Sequence, residues 1–183
     1  MNMKVYENYD NTEVFVEEAR LPAGGYICRI IDVRCEEKAY GELLRIGFDI
    51  VEGDYEGYYM DKFRKMKETN PDAKYQGIYY QTVKADDLKY FKGFITTLEK
   101  SNPQFKWNPK MPDESKLKGL YFGGIFAEEE YRNDKGEIRK SVKCRQVRSV
   151  EQIRKVDYKI PECKKLQEGS LTNNTDDLSG LNF

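Results

Sequence analysis

Apolar and polar positions recur along this chain with two different periods, and the changes of period mark its elements. Residues 1–20 are polar and show no clear period. Leu21-Pro22-Ala23-Gly24-Gly25 is a turn signal, and it opens a predicted strand over Tyr26–Val33. Glu36 to Gly41 reads as a loop. In the next segment, 42–51, Leu44, Ile46, Phe48 and Ile50 alternate with Leu43, Arg45, Gly47 and Asp49. Period-two alternation puts one face of a strand in a core and the other toward solvent. Glu52 to Gly57 is a glycine-bounded turn of hairpin type, which predicts a third strand over 58–65. Asn70-Pro71-Asp72 breaks it, and Tyr75 to Val83 returns as an extra strand or ordered loop.

The period then becomes helical. Leu88, Phe91, Phe94, Ile95 and Leu98 share one helix face, with Asp86 or Asp87 as N-cap and Asn102-Pro103 as the stop. A proline-punctuated loop over 103–118 carries Trp107. A fourth strand follows over 119–127, with Gly123-Gly124 suggesting a bulge. Asn133-Asp134-Lys135-Gly136 reads as a hairpin loop. The fifth strand runs over 138–150, and its alternation slips phase before Val147. Ser149-x-x-Gln152 is a capping box for a short last helix. The chain after Lys165 has no apolar pattern to fold on.

This order predicts a mostly β protein: a five-stranded OB-fold-like barrel with one helix between strands three and four, and a short C-terminal helix. A mixed α+β sandwich is the structural alternative. The expected domains are an acidic extension over 1–20, the barrel over 21–165 and an acidic tail over 166–183.

Charge sharpens that division. The 183 residues carry 31 Lys plus Arg against 32 Asp plus Glu, so the net charge is −1. Residues 1–20 hold two bases against five acids, and 166–183 hold three acids and no base. Residues 132–165 hold twelve bases against five acids. A basic body between acidic ends is a layout of nucleic-acid binders with a regulatory tail. Sixteen of the 24 aromatic residues fall between Tyr55 and Tyr131, interleaved with bases. Single-stranded nucleic acid suits such a surface, because an exposed base offers a π-face to stack and its backbone offers phosphates.

The candidate binding residues are Arg45 on strand two, Tyr58, Tyr59, Lys62, Phe63, Arg64 and Lys65 on strand three, and Tyr79 and Tyr80 after it. Strand five adds Arg139, Lys143, Arg145 and Arg148. The tyrosines divide between binding face and core, whereas Phe48, Phe91, Phe94, Phe122 and Phe126 are read as core. Trp107 either stacks a base or clamps its loop to the barrel.

Several classes drop out. The chain has no histidine, which removes His-based catalysis and His-liganded metal sites. Glu-x-Lys and Asp-x-Lys pairs occur at Glu36, Asp72, Glu114, Asp157 and Glu162, too often in so charged a chain to mark a metal-dependent nuclease. No enzyme activity, metal or cofactor is expected. Cys28, Cys35, Cys144 and Cys163 have no metal-binding spacing, and Cys28 and Cys144 are read as buried thiols. No apolar run of ~18 residues and no leader-like start are present, so no membrane association and a cytoplasmic location are expected.

Two resemblances add to this. The terminal segment Thr175-Asp176-Asp177-Leu178-Ser179-Gly180-Leu181-Asn182-Phe183 resembles the C-terminal tip of bacterial and phage single-stranded DNA-binding proteins. There the acids and the terminal Phe recruit replication and repair enzymes. This implies Asp176, Asp177, Leu181 and Phe183 as partner-binding residues, although Asn182 stands where the usual tip has proline. Leu21 to Tyr26, Phe48 to Tyr58, Phe91-Lys92-Gly93-Phe94-Ile95 and Lys143-Cys144-Arg145 resemble small phage- and prophage-associated proteins of Gram-positive bacteria. Those are mostly labelled single-stranded DNA-binding proteins of recombination modules. The implied function is sequence-nonspecific single-stranded DNA binding in phage replication or recombination, by a monomer or a homo-oligomer. The alternatives are a non-catalytic barrel that binds a protein, and the nuclease.

Overall fold

The computed structural model describes Lys4, Glu7, Asn8 and residues 20–166. The rest of the acidic extension and the tail residues Asp176, Asp177, Leu181 and Phe183 lie outside the described residues. In chain order the elements are β1 (Gly24–Lys38), β2 (Gly41–Ile50), α1 (Tyr58–Thr69), β3 (Ile78–Val83), α2 (Lys89–Ser101), β4 (Tyr121–Arg132), β5 (Ile138–Arg148) and α3 (Val150–Arg154). A 3₁₀ turn, Glu114–Leu117, precedes β4. The five strands form one antiparallel sheet in the order β3-β2-β1-β4-β5. Its two edge strands, β3 and β5, approach within 8 Å at the Cα level without pairing, so the sheet curls but does not close. No helix among the described residues is long and apolar enough to cross a membrane.

One face of the sheet is the core. Ile30, Ile46, Phe48, Ile50, Phe122 and Phe126 are fully buried there. Phe48 lies edge-on to Tyr59, Phe122 and Phe126, with ring centroids 5.4–5.9 Å apart. Cys28 and Cys144 are buried free thiols, as their strand patterns implied. Helix α2 contributes Phe94, Ile95 and Leu98 and contacts β3, β4 and β5, so it leans across the gap between the edge strands. Helix α3 packs on the other face, where Ile153 meets Ile27 and Ile125.

The largest departure from expectation is residues 58–65, which form the first part of helix α1 instead of a strand. Tyr59 and Phe63 recur at i and i+4, and this side of the helix, with Met60, turns toward the core. A carboxylate from a neighbouring strand secures the start of the helix. Asp49 accepts the backbone N–H of Tyr59 at 2.9 Å and of Met60 at 3.1 Å, and that of Ile50 at 2.9 Å. Two of the N–H groups that a helix N-terminus leaves without internal partners are thereby satisfied. The third strand of the sheet is the later segment, Ile78–Val83.

Smaller differences have local causes. Strand β1 runs on to Lys38 because a bulge at Ile31 resets its alternation. Neither Asp86 nor Asp87 caps α2. Asp87 bridges back to Lys84 and pairs with Lys89 at 3.5 Å, and Leu88 takes the N-cap position. Asn102 does end α2: its side-chain amide donates to the carbonyls of Leu98 and Tyr121, both at 2.8 Å. The phase slip in β5 is a bulge at Arg145, where the pairing passes from Gln146–Ile125 to Cys144–Phe126. Gly123 and Gly124 sit beside it for a packing reason. A Cβ on Gly123 would stand 2.3 Å from Ile153, and one on Gly124 would stand 2.6 Å from the Phe126 ring. The Ser149–Gln152 capping box is present.

Candidate nucleic-acid interface

The outward face of β1, β2 and β3 gathers residues that the strand alternation separates from the core. Arg34 stands opposite Arg45, and Arg45 stands opposite Tyr80, so the three form one row across the sheet. Arg45 is held firmly. Its side chain is only 12% exposed, and its Nη1 donates to Glu36 Oε1 at 2.8 Å. Desolvation works against its charge, but the hydrogen bond and charge of Glu36, together with Tyr80, hold its pKa above the ordinary value. In return, hydrogen bonds from Lys38 and Arg45 keep the Glu36 carboxyl below its usual range. Arg34 lies 3.6 Å from Asp32, and Lys118 reaches the same carboxylate at 3.9 Å. Tyr80, 37% exposed, completes the row beside the Arg45 guanidinium.

Strand β5 carries the second set of bases. Arg139 stands opposite Tyr131 and binds Glu137 at 2.7 Å. Lys143 and the bulged Arg145 converge on Glu129, at 2.7 and 3.9 Å. Arg148 donates to Gln146 Oε1 at 2.9 Å and to the Val147 carbonyl at 3.0 Å. Strand β3, which carries Tyr80 at one end of the row, and β5, which carries these bases, approach each other at the open side of the sheet.

Other candidates sit elsewhere. Tyr79 alternates to the inner face and stacks on Phe94, with centroids 6.1 Å apart; burial pushes its phenol up to about 12, against the opposing charge of Arg148. Tyr59 is 6% exposed, and burial raises its phenol far above the ordinary value. Phe63 packs edge-on to Tyr75 at 5.6 Å. Tyr58 lies under Lys62 Nζ at 5.8 Å, and Arg64 pairs with Asp61 at 3.0 Å along the helix. With Lys65, these residues form the surface of α1 beside the Asp49 end of β2, apart from the Arg45 row. Trp107 meets Phe91 edge-on at 5.8 Å, and its backbone N–H donates to Glu99 Oε1 at 3.0 Å. It clamps its loop to α2.

Arg34, Lys38 and Lys118 belong to this face and were not among the sequence candidates. Arg34 and Lys38 were legible in principle: beyond a bulge at Ile31, Asp32, Arg34, Glu36 and Lys38 alternate to one side. Among the described residues no group of three His, Cys, Asp or Glu side chains could hold a metal ion. Comparison of the chain with models of known protein families and with curated proteins finds no match.

Proposed function

We propose that this chain is a single-stranded DNA-binding protein built on an OB-like barrel, acting without strong sequence preference in phage or prophage replication or recombination. The observation that carries the reading is the Arg34–Arg45–Tyr80 row on the outer face of β1, β2 and β3. An OB-fold is a partly open five-stranded barrel that binds oligonucleotides on its second and third strands. The strand order here, with α2 across the β3–β5 gap, suits such a barrel opened at one seam. Tyr80 stacks a base, and Arg34 and Arg45 hold the flanking phosphates, with the β5 bases extending the charge along the seam. Duplex DNA hides its base faces and competes poorly for such a site. The acidic segment after Leu166 competes with phosphates for the basic face. Asp176, Asp177, Leu181 and Phe183 offer a docking peptide to replication or recombination proteins, which accords with the resemblance of that tip.

Fluorescence anisotropy of a labelled oligo-dT of ~30 nucleotides, longer than the ~4–16 nucleotides one OB-fold covers, tests this reading. The expected result is binding that weakens steeply with salt, is poorly competed by duplex, and tightens when the chain ends at Leu166. Absence of binding at low salt, with or without the tail, would overturn it.

A further inference from the structure

The β1–β2 turn meets the β3–α2 connection at one end of the sheet, and the turn and the start of α2 expose two tyrosines, each beside a lysine. Gly41, which follows the turn, has φ +130°, and a Cβ there would stand 2.4 Å from the Val83 carbonyl oxygen. Only glycine seats the turn so close to the end of β3. This close seating sets Tyr40, 51% exposed, beside Lys84, whose Nζ lies 5.9 Å from the ring centroid. Lys84 is bridged to Asp87, whose N–H donates to the Lys84 carbonyl at 3.1 Å. Asp87 in turn lies 3.5 Å from Lys89 Nζ, and that ammonium sits 4.9 Å from the ring centroid of Tyr90, which is 65% exposed. Neither tyrosine contributes to the core.

The row at Tyr80 leads to this cluster. Tyr80, Thr82 and Lys84 follow one another at alternate positions, so Lys84 lies about 13 Å further along than Tyr80, at ~3.3 Å per residue. We infer that Tyr40, Lys84, Lys89 and Tyr90 form a second stacking subsite, which takes the nucleotides of a single strand as they leave the Tyr80 face. The inference rests on the single-strand reading above and deepens it. A lysine over an exposed tyrosine holds the ring in place by a cation–π contact and keeps its ammonium in solvent, within reach of a phosphate beside the stacked base. The two rings stack bases, and Lys84 and Lys89 neutralise the intervening backbone.

The experiment measures anisotropy of the full chain with oligo-dT lengths from ~4 to ~30 nucleotides, spanning the site sizes of single OB-folds. Tyr80→Ala should weaken binding at every length. The double variant Tyr40→Ala/Tyr90→Ala should bind the longest oligonucleotide tenfold or more weakly, at ~1–3 kcal/mol per stacked base, and its affinity should stop rising at a shorter length. Tyr40→Phe should bind as the unsubstituted chain does, because stacking uses the ring. Lys84→Gln should reduce the salt slope by ~0.7, the value of one single-strand phosphate contact. Thermal unfolding identifies a folding defect in the double variant, and Lys84→Gln then decides. If the double variant keeps full affinity and length dependence while Tyr80→Ala is impaired, or if Lys84→Gln keeps the full slope, the second subsite is overturned and the single-strand reading stands. If the unsubstituted chain fails to bind, the reading itself falls.

Discussion

Strand β2 and helix α1 are neighbours in the chain, and both mix aromatic with basic residues, yet they use these in opposite ways. In β2 the alternation sends Phe48 inward and Arg45 outward, where Arg45 joins Arg34 and Tyr80. In α1 the helical period sends Tyr59 inward against Phe48 and Phe126 and leaves Arg64 and Lys65 on an outer surface. Composition is nearly blind to this difference. Period decides which rings stay accessible for stacking and which are spent on the core.

The sharpest test sets Tyr59 against Tyr80. Tyr59→Ala removes a buried ring from the aromatic core and should lower stability by about 4 kcal/mol, read by chemical denaturation. Tyr80→Ala should lower it by less than about 1 kcal/mol. If Tyr59→Ala were mild and impaired DNA binding instead, Tyr59 would belong to the interface and the contrast would collapse. Asp49 joins the two regions, and Asp49→Ala should cost about 3 kcal/mol, because it strands buried N–H groups at the head of α1. Burial holds the Asp49 carboxyl above its ordinary value, although its three N–H bonds pull the other way. The folded protein therefore keeps this proton to higher pH than the unfolded chain does. The contribution of Asp49 to stability falls as pH rises from the ordinary aspartate range through the raised value. Asp49→Asn should flatten that part of the stability–pH profile.

What could be read beforehand followed the clarity of the period. Strand β2 was legible because four apolar residues alternate without interruption, and α2 because its apolar residues keep helical spacing. The Arg145 bulge was visible as a phase slip. Helix α1 was hidden: Tyr58 and Tyr59 favour strands by propensity, and its core-facing pair, Tyr59 and Phe63, spans little more than one turn. Its anchor, Asp49, comes from another element and leaves no local signal. In the candidate site, Arg45 and Tyr80 were found singly. Their pairing was not, because register is a long-range property. Arg34 was lost to the Ile31 bulge, Tyr40 and Lys84 to connections that carry no period, and Lys89 and Tyr90 to the exposed side of the first turn of α2, away from the apolar face that marked the helix.

The intermediate effect concerns charge on the two sides of the seam. Glu129 holds both Lys143 and Arg145. Glu129→Gln should release them toward phosphate, tightening single-strand binding several-fold and steepening its salt dependence. Unchanged binding would confine the site to the β1–β3 face.

The smallest effect is expected on α1 and completes the contrast. Arg64 is exposed and paired with Asp61 one helical turn away, a contact worth only a few tenths of a kcal/mol. Its helix contacts β2 at the Asp49 end, away from the Arg34–Arg45–Tyr80 row. Arg64→Ala should therefore leave stability within about 0.5 kcal/mol, and should leave affinity and salt slope for oligo-dT unchanged within error. Arg34→Ala on the sheet should lower both binding quantities. The two arginines carry the same charge, so equal losses would mean that charge near the sheet is sufficient and the period of the underlying element irrelevant. Unequal losses would tie binding to the row that β1, β2 and β3 hold in register.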